Sequence, residues 1–180
     1  MAIFDPLLDR NPAVAATEVH VGLTPIPRHQ VFVVSCIDSR VDPALLLNLE
    51  LGDALVYRNA GGRVNDEAIH EIAFIGAVTD MMSGEGDPSP FEVVVLHHTS
   101  CGTGFYADDD FRIAFAERTG ADSDELLATA VLDPNVTVKT DVESLRNSPL
   151  LPTHAVVSGH VYDVETGLIE TVVPVDGPSA

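Results

Sequence analysis

Tryptophan is absent from this chain, lysine occurs once, at Lys139, and cysteine occurs twice, at Cys36 and Cys101. Two distant cysteines cannot make a disulfide framework, so both are read as free thiols. The first residues carry Asp5 and Asp9, with no basic start followed by an apolar core, so no secretory signal is read there and a cytoplasmic location is expected. No apolar run approaches the roughly 20 residues that a membrane helix requires, and no membrane association is expected. Positive charge is scarce as well: nine Lys and Arg face 28 Asp and Glu, for a formal net charge of −19. Such a field repels phosphate backbones and anionic lipid, which argues against nucleic acid as a partner.

The chain has 180 residues, 46% of them hydrophobic, enough for one domain, 1–180, with a full core. Short β-branched runs at 31–36 (VFVVSC), 54–59 (ALVYRN), 91–98 (FEVVVLHH) and 154–159 (HAVVSG) predict strands buried on both faces. Between them, 66–82 carries apolar residues at helical spacing after an acidic first turn, and 43–50 and 108–120 are shorter helical candidates. The stretch 83–90 is rich in turn residues, and 121–152 reads mostly as short helix and loop. Residues 161–173 alternate about Glu165-Thr166-Gly167 and predict a hairpin at the sheet edge. The expected fold class is α/β: a central, mostly parallel β-sheet flanked by helices, with an antiparallel C-terminal edge hairpin.

Chemistry-bearing residues gather where these strands end. Cys36 closes the first, and His98 and Cys101 close the third. Ligands collect beyond the carboxyl ends of parallel strands, so neighbouring strands would bring two thiols and an imidazole to one point. Taken singly, each residue is better read as core. Together they suit zinc, with a fourth coordination position left for chemistry. Asp38 and Arg40, two apart in what is read as an extended segment, can pair, the guanidinium fork holding the carboxylate ionised. His97 is expected to point away from His98 and to be structural. His20, His29, His154 and His160 are read as surface or relay residues, and His70 begins no helix-borne zinc motif.

The stretches CIDSR (36–40), GDALVYRNAGG (52–62) and HHTSCG (97–102) resemble the Cys-x-Asp-x-Arg, Arg-Asn-Ala-Gly and His-x-x-Cys-Gly signatures of the β-class carbonic anhydrases, and ADDDFRIAFAERTG (107–120) with the closing hairpin resembles their compact bacterial and archaeal branch. The resemblance implies zinc held by Cys36, His98 and Cys101, with Asp38 and Arg40 as the catalytic dyad. It also implies a homodimer whose cleft lies between subunits. The implied activity is reversible hydration of carbon dioxide to bicarbonate by metal-bound hydroxide. Gly61 and Gly62, without side chains, suit either close approach of backbone to the substrate or an ordinary turn. The chain departs from the pattern in lacking tryptophan and in placing His97 where glycine is common. Hydrolysis of carbon disulfide or carbonyl sulfide is an alternative within the family. A non-catalytic zinc-binding or thiol redox-sensing module is the alternative from another class, and it leaves Asp38 and Arg40 unused.

Overall fold

The computed structural model describes residues 2–83 and 90–175; most of the loop expected at 83–90 lies outside them. Five strands, β1 (Val31–Cys36), β2 (Leu55–Asn59), β3 (Phe91–His98), β4 (Ala155–Tyr162) and β5 (Ile169–Val173), form one sheet in the order β2-β1-β3-β4-β5. The first four are parallel, and β5 runs antiparallel to β4. The described helices are α1 (Asp5–Leu8), α2 (Asn11–Ala15), α3 (Pro43–Leu46), α4 (Asp66–Ser83), α5 (Asp109–Thr119), α6 (Ser123–Thr129) and α7 (Pro134–Arg146). None of them is long and apolar enough to cross a membrane.

The continuous apolar runs follow from a sheet covered on both faces. On one face Ile72 of α4 and Val138, Val142 and Leu145 of α7 pack on Phe32, Val34, Val93, Val95 and Val157. Each such side chain contributes about 1.5–3 kcal/mol by leaving water. The other face is smaller: Val41 and, from α3, Leu46 cover Val33, Leu96 and Tyr162.

Three sequence expectations shift. The helix expected over 43–50 stops at Leu46, and Asn48, at φ 52°, turns the chain out of helical geometry. Residues 121–152 hold a 13-residue helix, α7, whose start is fixed by Asp133 accepting from the Asn135 N–H with Pro134 in the first turn. Its poor helix formers Val136, Thr137, Val138 and Thr140, and a buried Asp141 on its apolar stripe, hid it. The predicted C-terminal hairpin is present, but its first arm is the end of β4, which runs on past Gly159. That glycine admits α7 rather than ending the strand, because a Cβ there would lie 2.9 Å from Val142 Cγ2.

The remaining predicted ends hold. Asn65 accepts from the Ala68 N–H at the start of α4. Asp108 caps α5, and Gly120, at φ 75°, ends it. Since β2 and β3 lie on opposite sides of β1, the chain leaves β1 one way and returns on the other. The crevice opened by that reversal sits beyond Cys36 and His98.

Candidate metal centre

Parallel pairing of β1 with β3, with Ser35 opposite Leu96, brings the ends of the two strands together. Cys36, His98 and Cys101 converge there, all buried, with one ligand atom from each lying within 4.8 Å of the others. The sulfurs are 3.9 Å apart and unbonded. His98 Nδ1 lies 2.9 Å from the Thr99 carbonyl, which can only accept. Nδ1 therefore carries the proton and Nε2 a lone pair, and that buried Nε2 has no hydrogen-bond partner. A buried, orphaned imidazole nitrogen facing two thiols is what a thiophilic metal satisfies.

The thiols favour a cation too. Their mutual hydrogen bond, with burial, pushes the Cys36 thiol far up. The same bond, aided by Thr103, holds Cys101 well below the usual thiol range. Two adjacent thiolates repel each other, and a divalent cation removes that conflict.

Asp38 and Arg40 meet, although not along an extended segment. Residues 38–41 form a turn closed by the Val41 N–H donating to the Asp38 carbonyl at 3.0 Å. The turn lets Asp38 accept from the Arg40 backbone N–H at 2.9 Å and take the guanidinium side-on, Nε to Oδ1 at 3.0 Å and NH2 to Oδ2 at 2.7 Å. The Arg40 side chain holds the Asp38 carboxyl well below the usual carboxylate range. Arg40 also donates to the Ser100 carbonyl at 3.0 Å, tying the dyad to the loop between His98 and Cys101. The Asp38 N–H points at Cys36 Sγ, 3.4 Å away.

Gly61 and Gly62 sit in a tight turn at φ 86° and 67°, where only glycine is unstrained. Gly61 borders the cavity. Gly62 does not; a Cβ there would lie 2.8 Å from the Cys36 backbone N, so this glycine permits close packing against the end of β1. The Asn59 side chain spans the turn, donating to the Arg63 carbonyl and accepting from the Arg63 N–H, both at 2.8 Å. The cavity, about 250 Å³, is lined by Cys36, Ile37, Asp38, Ala60, Gly61, Gly102, Thr103, Tyr106 and Phe111. Its wall is mainly apolar, with the Asp38 carboxylate near the donor set.

Sequence reasoning did not single out several supporting residues. Arg58 donates to the carbonyls of Cys36 and Asp38, both at 2.8 Å, fixing the backbone that carries ligand and dyad; its place beside Asn59 in the quoted RNAGG was the available signal. His97, already expected to be structural, is fully buried, with Nδ1 2.9 Å from the Thr137 hydroxyl and Nε2 3.2 Å from Asp141, so it belongs to a buried hydrogen-bond network. Of the other histidines, His160 is half-buried between the Ser158 and Thr171 hydroxyls, and His154 faces Asp80 at 3.5 Å.

Asp141 also takes the Arg63 fork, at 2.8 Å on both oxygens, and the Val64 N–H at 3.0 Å. Burial alone would raise its pKa, but the bonds from His97 and Arg63 outweigh it and the net shift is downward. Its stabilisation is therefore present above the unfolded carboxylate pKa and lost as pH falls through the lower, folded value. Asp141→Asn is expected to cost about 3 kcal/mol at neutral pH, with the gap to wild type closing in acid. Urea unfolding at pH 7 and near pH 3 measures both.

The sequence model of the carbonic anhydrase family matches residues 31–112, which hold all three ligand candidates and the dyad. β-Carbonic anhydrase 1 of Mycobacterium tuberculosis is 32% identical over 151 residues, spanning 82% of this chain and 85% of that protein. The chain belongs to the β-carbonic anhydrase family. The fold agrees: the crystal structure of a carbonic anhydrase from Streptococcus mutans superposes with a TM-score of 0.77 at 34% identity, covering 96% of this chain and 98% of that one. The chain is also similar to the carbon disulfide hydrolase of Acidithiobacillus thiooxidans, 33% identical over 164 residues and matched across 79% of this chain and 77% of that protein. β-Carbonic anhydrases are enzymes, and Cys36, His98 and Cys101 of this chain form a group that could hold a metal ion.

Proposed function

We propose that the protein catalyses reversible hydration of carbon dioxide to bicarbonate, with zinc held by Cys36, His98 and Cys101. The observation that carries this reading is the position of Asp38: an ionised carboxylate, gripped by Arg40, beside a buried donor set with an unpartnered His98 Nε2. Zinc there would supply the Lewis acidity that ionises water, less strongly than a three-histidine site would because two thiolates give the metal more negative charge, so hydration is expected to increase towards alkaline pH. Asp38 accepts the hydrogen bond of the attacking hydroxide and aims its lone pair at the substrate carbon. Arg40 offsets the added negative charge and fixes the carboxylate's orientation. Ile37, Ala60, Tyr106 and Phe111 give a small linear apolar molecule an apolar wall, and Gly61 leaves the space beside it open.

Likeness to a carbon disulfide hydrolase favours a second reading, because carbon disulfide is also linear and open to the same attack. A parallel assay decides between them: bicarbonate formed from carbon dioxide supports hydration, and sulfide released from carbon disulfide without bicarbonate formation overturns it. A thiol redox sensor would leave the Asp38–Arg40 pair without a role.

Apolar side chains stand exposed near the cavity and on the thinly covered sheet face, including Ile37 at 60%, Phe105 at 67% and Leu45 at 83%. A second copy of the chain covering them completes the proposed homodimer. Sedimentation at assay concentration is expected to give a dimer or larger assembly, and an active monomer would contradict it.

A further inference from the structure

Thr103 begins no catalytic motif and was not among the sequence candidates, yet it is buried and stands against a ligand. Its Oγ1 lies 3.2 Å from Cys101 Sγ and 3.2 Å from the backbone N of Val131. The Val131 N–H can only donate, so the hydroxyl oxygen accepts from it. The hydroxyl's own proton is then left for the sulfur. The geometry points to Thr103 as a positioning residue for Cys101: its hydroxyl donates to the thiolate, pins the sulfur against the cavity wall, and sets how strongly that sulfur donates to a bound metal.

The surroundings are arranged for this bond. A Cβ on Gly61 would come within 3.3 Å of Oγ1, so the glycine keeps the hydroxyl's space clear. Cys36, the other sulfur, has its own donor in the Asp38 N–H. Each sulfur thus has a donor outside the ligand set beside it, the Thr103 hydroxyl at Cys101 and the Asp38 N–H at Cys36, and backbone N–H groups of Thr103 and Gly61 add to them. Such bonds to coordinating atoms fix orientation and withdraw electron density, and their loss typically costs about 10–100-fold in metal affinity.

The inference rests on the proposed ligand set, and cobalt(II) separates failure of one from failure of the other. Wild type loaded with cobalt is expected to show sulfur-to-cobalt charge-transfer absorption; without that absorption the ligand set and the role of Thr103 both fall. Thr103→Val keeps the shape and removes the donor. Its sulfur becomes richer in electrons, so the absorption is expected to move to lower energy, and chelator competition at fixed pH is expected to show about 10–100-fold weaker cobalt binding. Thr103→Ser is expected to restore both. If Thr103→Val does not fold, Thr103→Ala carries the same expectation. A residue that merely anchored Val131 would lower the melting temperature while leaving the absorption in place, and an unmoved absorption in the valine or alanine variant overturns the inference.

Discussion

Asp38→Asn is expected to keep its metal and to lose carbon dioxide hydration by on the order of 10²-fold, the scale of loss when a reacting group is misaligned by about an ångström. Metal retention follows from the site's construction. The three ligand candidates are untouched, and the contact from residue 38 to Cys36 Sγ comes from its backbone N–H, which the substitution leaves in place. What changes is charge and direction: an amide presents a donor where the carboxylate had only acceptors. Arg40→Ala is expected to lose activity as well, because the carboxylate loses the fork that orients it and the Ser100 carbonyl loses its donor. The double variant should be little worse than either single one, since each already disables the same unit. Stopped-flow hydration over a pH series, with metal content measured for each variant, checks this. Near-wild-type rates in both single variants at every pH refute the dyad's role, and higher activity of Asp38→Asn at low pH would assign Asp38 to blocking the metal.

Replacing a ligand has a larger effect. Cys36→Ala, His98→Ala and Cys101→Ala are each expected to fall from about one zinc per chain to nearly none, with hydration falling in step. Two donors cannot repeat a site in which both sulfurs are buried and the imidazole nitrogen has no other partner. The alanine at position 98 should also leave the sheet intact, because the β3 backbone pairs with β4 through to Tyr162 whatever side chain stands there. Circular dichroism beside metal analysis separates loss of zinc from loss of fold. Full zinc occupancy in all three variants would sink the ligand assignment.

Much of this was legible in the sequence because strands buried on both faces are written as continuous apolar runs. Residues 31–36 and 91–98 place Cys36 and His98 at strand ends without any need for tertiary detail. The Asp38–Arg40 pair was legible as a pair but not as a turn, since spacing of two suits an extended segment or an Asx-type turn equally well. Helix α7 was hidden by its β-branched residues and by Asp141, a charge on an apolar stripe that makes sense only once Arg63 and His97 stand opposite it. Thr103 shows the same limit: its partner Val131 is 28 residues away, and nothing local signals the contact.

The central claim is that Cys36, His98 and Cys101 hold one zinc that Asp38 and Arg40 put to use in hydration. Zinc content and carbon dioxide hydration measured on one purified sample, before and after stripping with a chelator and again after reloading, test it most directly. The account predicts about one zinc per chain, activity that falls with the zinc removed, and recovery on reloading. Undiminished hydration by the stripped protein would contradict it.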